Sequence, residues 1–265
     1  MRIEDYQTIR FQRRGRALYV IFNQPDSRNA FAAQSHTELS HVFETAALDA
    51  ESDIVVVTGE GHSFSAGGNV PAMRANHESP ELMYAAVREA KRVVRSMLEC
   101  DKPIVAKING DSIGLGATVA LLADVAIATN TSRIADPHNA VALIAGDGGS
   151  VIWPQLIGFG RARHYLLTGD RITGSEAANI GLIYKSVEAA ELDATVDAYV
   201  DRLLELPARS LRWTKETYTL PLKQLATLMM DTGMAYEAVS AATQDHLEAI
   251  TAFEQKRKPR FNTQA

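Results

Sequence analysis

Two glycine-rich stretches, each following a run of β-branched residues, are the most informative part of this sequence. Residues 63–69 read SFSAGGN and follow the run 54–58 (IVVVT), whereas residues 109–117 read NGDSIGLGA and follow the run 104–108 (IVAKI). Such runs, bounded by glycine and asparagine, are typical of strands. Glycine also lets a ligand approach the main chain closely. Each stretch is therefore predicted to be a turn after a buried strand.

The second glycine stretch leads into an apolar segment, residues 117–123, that is predicted to be a helix. The first residues of a helix have free N–H groups and carry partial positive charge. Two such N–H groups, supplied by separate turns, are able to converge on one developing oxyanion. Taken singly, each stretch is more simply a tight strand-to-helix connection, and neither matches a phosphate-binding glycine motif.

The remaining pattern extends this alternation of strands and helices. Further strands are predicted at residues 17–22 and 125–128, and amphipathic helices at 34–48 and 82–98. Strands that alternate with helices indicate an α/β fold in which crossovers link parallel strands. The sequence therefore predicts a parallel sheet for most of the chain.

The strand pattern stops at about residue 190. Residues 192–203 form an amphipathic pattern, and Pro207 and Pro221 are predicted to separate the helices that follow. We therefore expect an α/β core at residues 1–190 and a helical region at 191–265.

Composition limits the class of partner. The chain of 265 residues has a formal charge of −5, which argues against non-specific binding to nucleic acid and gives no electrostatic attraction to an anionic membrane. The N-terminus has no apolar signal core, and Cys100 has no cysteine partner for an internal disulfide. The histidines and the cysteine show no metal-ligand spacing. We expect a cytoplasmic protein that binds neither nucleic acid, membrane nor metal.

Four motifs in order resemble the crotonase (enoyl-CoA hydratase/isomerase) superfamily. They are N-x-P…N-A at residues 23–30, F-S-A-G-G-N at 64–69, I-N-G-x-x-x-G-x-G-A at 108–117, and P-x(8)-G-x-G-G at 137–149. The resemblance covers nearly the whole chain. It implies a spiral of ββα units with a C-terminal helical trimerisation region, and hence a homotrimer or a hexamer. It also implies an acyl-CoA thioester as substrate and no separate cofactor.

The resemblance assigns roles by motif position. The thioester carbonyl would be held by the backbone N–H groups of Gly68 and Leu115, where Leu115 replaces the usual glycine and should narrow the pocket. Residues of two turns and of a basic tail, the latter reaching a neighbouring subunit, would contact coenzyme A: Ala30, Ser65, Ala66, Gly67, Lys258 and Phe261.

The acid–base residues depart from the family pattern. Thr118 and His138 stand where hydratases of this family have two glutamates. His138 is able to act as an acid or a base, although in isolation it reads as a solvent-facing residue of a polar turn. Asp147 is either an ordinary Asp-Gly turn residue or a new catalytic base. The stretch P-H-x(8)-D-G resembles the β-diketone hydrolases, which pair this aspartate with the histidine and have a further histidine where Leu115 stands.

Three functions follow from these residues. The first is a lyase of the enoyl-CoA hydratase/isomerase type, in which Asp147 and His138 move protons and the two N–H groups hold a thioester enolate. The second is hydrolysis of a carbon–carbon bond in a β-diketone or a cyclic β-keto acyl-CoA. The third is a non-catalytic scaffold that binds acyl-CoA, because both family glutamates are missing.

Overall fold

The computed structural model describes residues 1–262, and within them the chain forms repeated strand–strand–helix units. The strands are β1 (Ile9–Arg14), β2 (Ala17–Phe22), β3 (Ile54–Gly59), β4 (Ser63–Ser65), β5 (Ile104–Ile108), β6 (Asp111–Ile113), β7 (Val125–Thr129), β8 (Arg133–Ala135), β9 (Ile172–Thr173) and β10 (Lys185–Val187). The helices are α1 (Ala33–Leu48), α2 (Val70–Glu78), α3 (Pro80–Glu99), α4 (Leu115–Leu122), α5 (Gly149–Thr168), α6 (Gly174–Asn179), α7 (Leu192–Leu204), α8 (Ala208–Ala241) and α9 (Gln244–Glu254).

Two sheets grow side by side as the chain winds. The larger has six strands in the order β1-β2-β3-β5-β7-β10 and is parallel except for the β1–β2 pair. The smaller has the order β4-β6-β8-β9 and is parallel from β4 to β8. Each turn of the spiral adds one strand to each sheet, as in β3 with β4 and β5 with β6. The predicted crotonase-like ββα spiral is therefore confirmed.

Burial on both faces explains the uninterrupted apolar runs of the larger sheet. In β3, Val55 and Val57 join the main core, whereas Ile54 and Val56 face a second cluster with Val196 of α7. Strands that are covered on both faces lack the alternation of apolar and polar residues seen in half-exposed strands. The four strands predicted from sequence match the structure to within one residue at each end.

The C-terminal helices pack onto the spiral, and one prediction about them is wrong. Pro221 does not separate two helices, because α8 continues through it from Ala208 to Ala241. An internal proline costs roughly 3 kcal/mol, but Met230 and Met234 beyond it pack in the main core and hold the helix in place. The helix ends instead before Thr243, whose hydroxyl accepts the His246 N–H and caps α9. No helix within residues 1–262 has the length and apolar composition needed to cross a membrane.

Candidate active site

The two glycine stretches lie next to each other because β4 and β6 are parallel neighbours. Gly67, at φ +81°, packs so tightly that a Cβ there would lie 2.6 Å from the carbonyl oxygen of Ile113. A Cβ on Gly116 would lie 2.8 Å from the Cβ of Ser65. Glycine is therefore required at both positions for the two turns to approach each other.

The N–H groups of Gly68 and Leu115 are free in this arrangement. Phe31 donates to Gly67 O and accepts from Asn69 N, so the N–H of Gly68 points to the opposite side. Leu115 is the first residue of α4, where no intrahelical acceptor exists. Within the described chain, neither N–H donates to a backbone carbonyl. The Leu115 N–H lies at the positive end of α4, and the Gly68 N–H lies in the neighbouring turn.

The residues predicted to contact coenzyme A fall into two places. The turn that contains Ala30 is joined to Ser65, Ala66 and Gly67: the Ser65 hydroxyl donates to Asn29 O at 2.8 Å, and Ala66 N donates to Arg28 O at 2.9 Å. These residues therefore lie directly beside Gly68.

Lys258 and Phe261 lie in a tail that folds back onto α9 of the same chain. The Arg257 guanidinium donates to Glu248, and Asn262 N donates to Asp245 at 3.0 Å. Across residues 1–262, no hydrogen bond joins this tail to the turn at residues 28–31. The chain by itself therefore brings together the turn residues but not the tail.

The predicted acid–base residues meet in a buried cluster between β8 and α5. The two ring nitrogens of His138 contact different carboxylates: Nδ1 contacts Asp136, and Nε2 lies 3.4 Å from Asp147 Oδ2. Thr118 on α4 donates its hydroxyl to Asp147 Oδ1 at 3.3 Å. The side chain of His138 is only 12% exposed, so the reading of His138 as a solvent-facing turn residue is wrong.

Charges within this cluster determine its protonation. Burial lowers the pKa of His138, but the carboxylates of Asp136 and Asp147 more than offset this and raise the pKa well above its usual value. Burial raises the pKa of Asp147, yet the positive charge of His138 outweighs it and the net pKa is lowered. Near neutral pH, Asp147 is therefore an ionised carboxylate beside an imidazolium.

Glu237 of α8 completes the cluster, and the sequence analysis did not identify it. Its carboxyl is buried beside the turn before α5, since a Cβ on Gly146 would lie 2.7 Å from Glu237 Oε2. Burial raises the pKa of Glu237 to about 8, and the negative charge of Asp147 adds to this effect. A signal was present in the sequence, because Glu237 falls on the helical stripe of Met230, Met234 and Ala241 that faces the core.

The Glu237→Gln variant should change how stability depends on pH. The raised folded-state pKa of Glu237 stabilises the protein fully below about pH 4.5, and this stabilisation is lost as the pH rises toward 8. Glutamine does not titrate. The variant should therefore gain roughly 3 kcal/mol in free energy of unfolding, relative to wild type, between pH 5 and pH 8.

Urea unfolding at several pH values measures this difference. Glu216→Gln, an exposed position on the same helix, is the matched control and should leave the pH dependence unchanged. If the free energies of unfolding of Glu237→Gln and wild type changed with pH in the same way, a raised pKa of Glu237 would be contradicted.

The cluster is also a candidate cation site, because one potential ligand atom from each of Asp136, His138 and Asp147 lies within 4.8 Å of the others. However, each carboxylate faces a different ring nitrogen of His138. An imidazole ring coordinates one ion through one nitrogen. A single ion would therefore have to replace the carboxylate contact at that nitrogen. The geometry is that of a hydrogen-bonded chain of acidic and basic groups.

A ββα spiral with two free N–H groups beside a buried acid–base cluster defines a protein of the crotonase-fold class. The chain belongs to the enoyl-CoA hydratase/isomerase family, whose sequence model matches residues 13–264.

Relatives support this membership. The short-chain enoyl-CoA hydratase of Clostridium acetobutylicum is 26% identical over 259 residues, covering 96% of this chain and 97% of that enzyme. A crystal structure of an enoyl-CoA hydratase/isomerase from Mycobacterium paratuberculosis has 30% identity and a TM-score of 0.89, covering 92% of this chain and 97% of its own. A β-diketone hydrolase from the cyanobacterium Anabaena sp. has 24% identity and a TM-score of 0.85, covering 91% and 96%, and shares the fold.

Proposed function

We propose that this protein is an acyl-CoA lyase of the enoyl-CoA hydratase/isomerase type, which stabilises a thioester enolate at the N–H groups of Gly68 and Leu115. The observation that carries the proposal is a pair of buried carboxyl groups in one cluster: Asp147 contacts His138, whose charge lowers the pKa of Asp147, whereas burial raises the pKa of Glu237. Groups whose pKa values are pushed apart in this way are suited to serve as base and acid.

The oxyanion step follows from the turn geometry. Negative charge develops on the thioester oxygen when a proton leaves Cα or when water adds at Cβ. N–H groups that are already oriented and free stabilise this charge without reorganisation. Thr118 lies one turn along α4 from Leu115 and bonds Asp147, and the ring of His138 lies near Gly114. These contacts support an enolate held next to the acid–base cluster.

The proton steps use the cluster. In hydration, the Asp147 carboxylate would take a proton from water as the oxygen bonds to Cβ, and Glu237 or the His138 imidazolium would deliver a proton to Cα. In isomerisation, Asp147 alone would take a proton at one carbon and return it at another. Glu237 thus supplies from α8 the second carboxyl group that the family motif positions lack.

The rest of the substrate would be held as a coenzyme A thioester, with no separate cofactor or metal. Ala30 and Ser65–Gly67 would hold coenzyme A beside Gly68, and Lys258 and Phe261 would reach it from a neighbouring subunit. A homotrimer or a hexamer of two trimers would bring that neighbour close. Exposed apolar side chains on α8, including Leu228 and Val239, support such a contact. A cytoplasmic location stays a prediction.

A second candidate is hydrolysis of a carbon–carbon bond in a β-diketone or cyclic β-keto acyl-CoA. The observation that favours it is the contact between His138 and Asp147 at 3.4 Å. These groups would activate water to attack a ketone, and the enolate would leave into the oxyanion site. The third candidate, a scaffold that binds acyl-CoA without turnover, rests on Thr118 and His138 standing in place of the family glutamates.

Incubation with crotonyl-CoA, followed by the enone absorbance, separates these functions. Loss of absorbance with formation of 3-hydroxybutyryl-CoA is the expected result. A parallel incubation with a cyclic β-diketone reports ring opening, and that activity without hydration would favour the hydrolase. Binding of crotonyl-CoA without turnover of either compound would favour the non-catalytic scaffold. A mock purification from host cells that carry an empty vector controls for hydratase from the expression host.

A further inference from the structure

Asp136 is a buried carboxylate whose only hydrogen bond within residues 1–262 is to His138. It follows β8 directly and has no exposed surface. Its Oδ1 contacts His138 Nδ1, and its Oδ2 has no hydrogen-bond partner in the described chain. The side chain therefore does not accept a backbone N–H of its own turn, as an aspartate with a purely local structural role would do.

The surroundings of Asp136 are shaped to accept its charge. A Cβ on Gly149 would lie 1.8 Å from Asp136 Oδ2, so this oxygen occupies space that only glycine leaves open. Gly149 is the first residue of α5, and the positive end of a helix stabilises a nearby anion. A buried carboxylate without a partner is costly. The imidazolium of His138 and the N-terminus of α5 together offset that cost.

Other groups also face His138. Asp147 lies at Nε2, and Thr118 of α4 bonds the second oxygen of Asp147. The carboxyl of Glu237 on α8 is buried beside Gly146, and burial together with the charge of Asp147 raises its pKa. Asp147 is thus held from two sides, by a ring nitrogen and by a hydroxyl. Among the described residues, Asp136 is the only hydrogen-bond partner of Nδ1 on the other side of the ring.

We propose that Asp136 is a positioning residue, which fixes the His138 ring through Nδ1 so that Nε2 faces Asp147, and which keeps that ring positively charged. The inference rests on the proposed function, because it assigns Asp147 as the group that moves a proton. The charge of Asp136 keeps the imidazolium in place, so that Asp147 stays ionised and oriented when substrate arrives.

Histidine side-chain NMR tests this directly, without substrate. In the wild-type protein, the His138 signals, assigned with a His138→Gln variant, should remain those of an imidazolium from pH 6 to pH 8. In Asp136→Asn, which keeps shape but not charge, His138 should become neutral near or below its ordinary pKa of about 6.5. Asp170→Asn is the matched control, since it removes the carboxylate from the exposed His164–Asp170 pair, and should leave His138 unchanged.

Two results would overturn the proposal: a neutral His138 in the wild type at pH 7, or identical titration in Asp136→Asn. The wild-type titration decides even if Asp136→Asn does not fold. Kinetics add a second readout, because the variant should lower kcat about 30-fold with little change in KM, and shift the pH profile. Absence of all acyl-CoA turnover would contradict the proposed function but not the NMR result, so the two failures are distinguishable.

Discussion

Asp147→Asn is expected to lower kcat for the acyl-CoA reaction by about 10³-fold, the typical loss for a removed general base. Asparagine matches aspartate in shape and can still contact Thr118 and His138, but it cannot take a proton. It also leaves the His138 imidazolium with one carboxylate instead of two. Binding of the coenzyme A portion does not involve this group, so KM should change only a few-fold.

Steady-state kinetics with crotonyl-CoA, together with thermal melting, measure this effect. Asp170→Asn is again a suitable control, because Asp170 also lies beside a histidine but is 60% exposed and outside the cluster. Wild-type kcat in a folded Asp147→Asn protein would exclude Asp147 as the base and leave Glu237 as the remaining carboxyl candidate.

Leu115→Pro should reduce kcat by about 10²-fold, because it deletes one N–H of the proposed oxyanion site. Removing a backbone donor normally damages the fold, but proline should disturb the fold little at this position. Leu115 is the first residue of α4, where proline is favoured, and its N–H donates to no backbone carbonyl. Proline clashes with the Cβ of the residue before it, and that residue, Gly114, has none.

Leu115→Ala is the control, because it removes the same side chain and keeps the N–H. Both variants lose the packing of a residue that is only 6% exposed, so their melting temperatures should fall together. The alanine variant should retain activity within a few-fold of wild type. Equal kcat values for the two folded variants would show that the Leu115 N–H does not stabilise the transition state.

Local sequence is sufficient to predict the positions of the strands and of the turns between them. Residues 104–108 were predicted as a strand and form β5 over those residues, because a β-branched run buried on both faces has few alternatives. The two glycine stretches predict turns after buried strands, and the structure has turns there. That Gly67 and Gly116 allow these turns to pack against each other is visible only in the structure. The family followed from the order of four such motifs.

Local rules failed where packing between distant elements decides the outcome. Pro221 carries a helix-breaking signal, yet the contacts of Met230 and Met234 with the core outweigh it. His138 follows a proline in a polar segment, and nothing within that segment shows that α4, α5 and α8 enclose it. Glu237 resembles any other helical glutamate until the stripe on which it lies is seen to face Asp147.

The sequence by itself predicted the strands and the two glycine turns, because short-range sterics and hydrophobic pattern govern these. The resemblance of four ordered motifs implied the family, the spiral of ββα units and the roles of the Gly68 and Leu115 N–H groups. Only the tertiary structure decided the protonation of the site. A pKa depends on burial and on charges from every neighbouring element. Ionised Asp147, charged His138 and neutral Glu237 therefore exist as a set only after β8, α4, α5 and α8 have packed together.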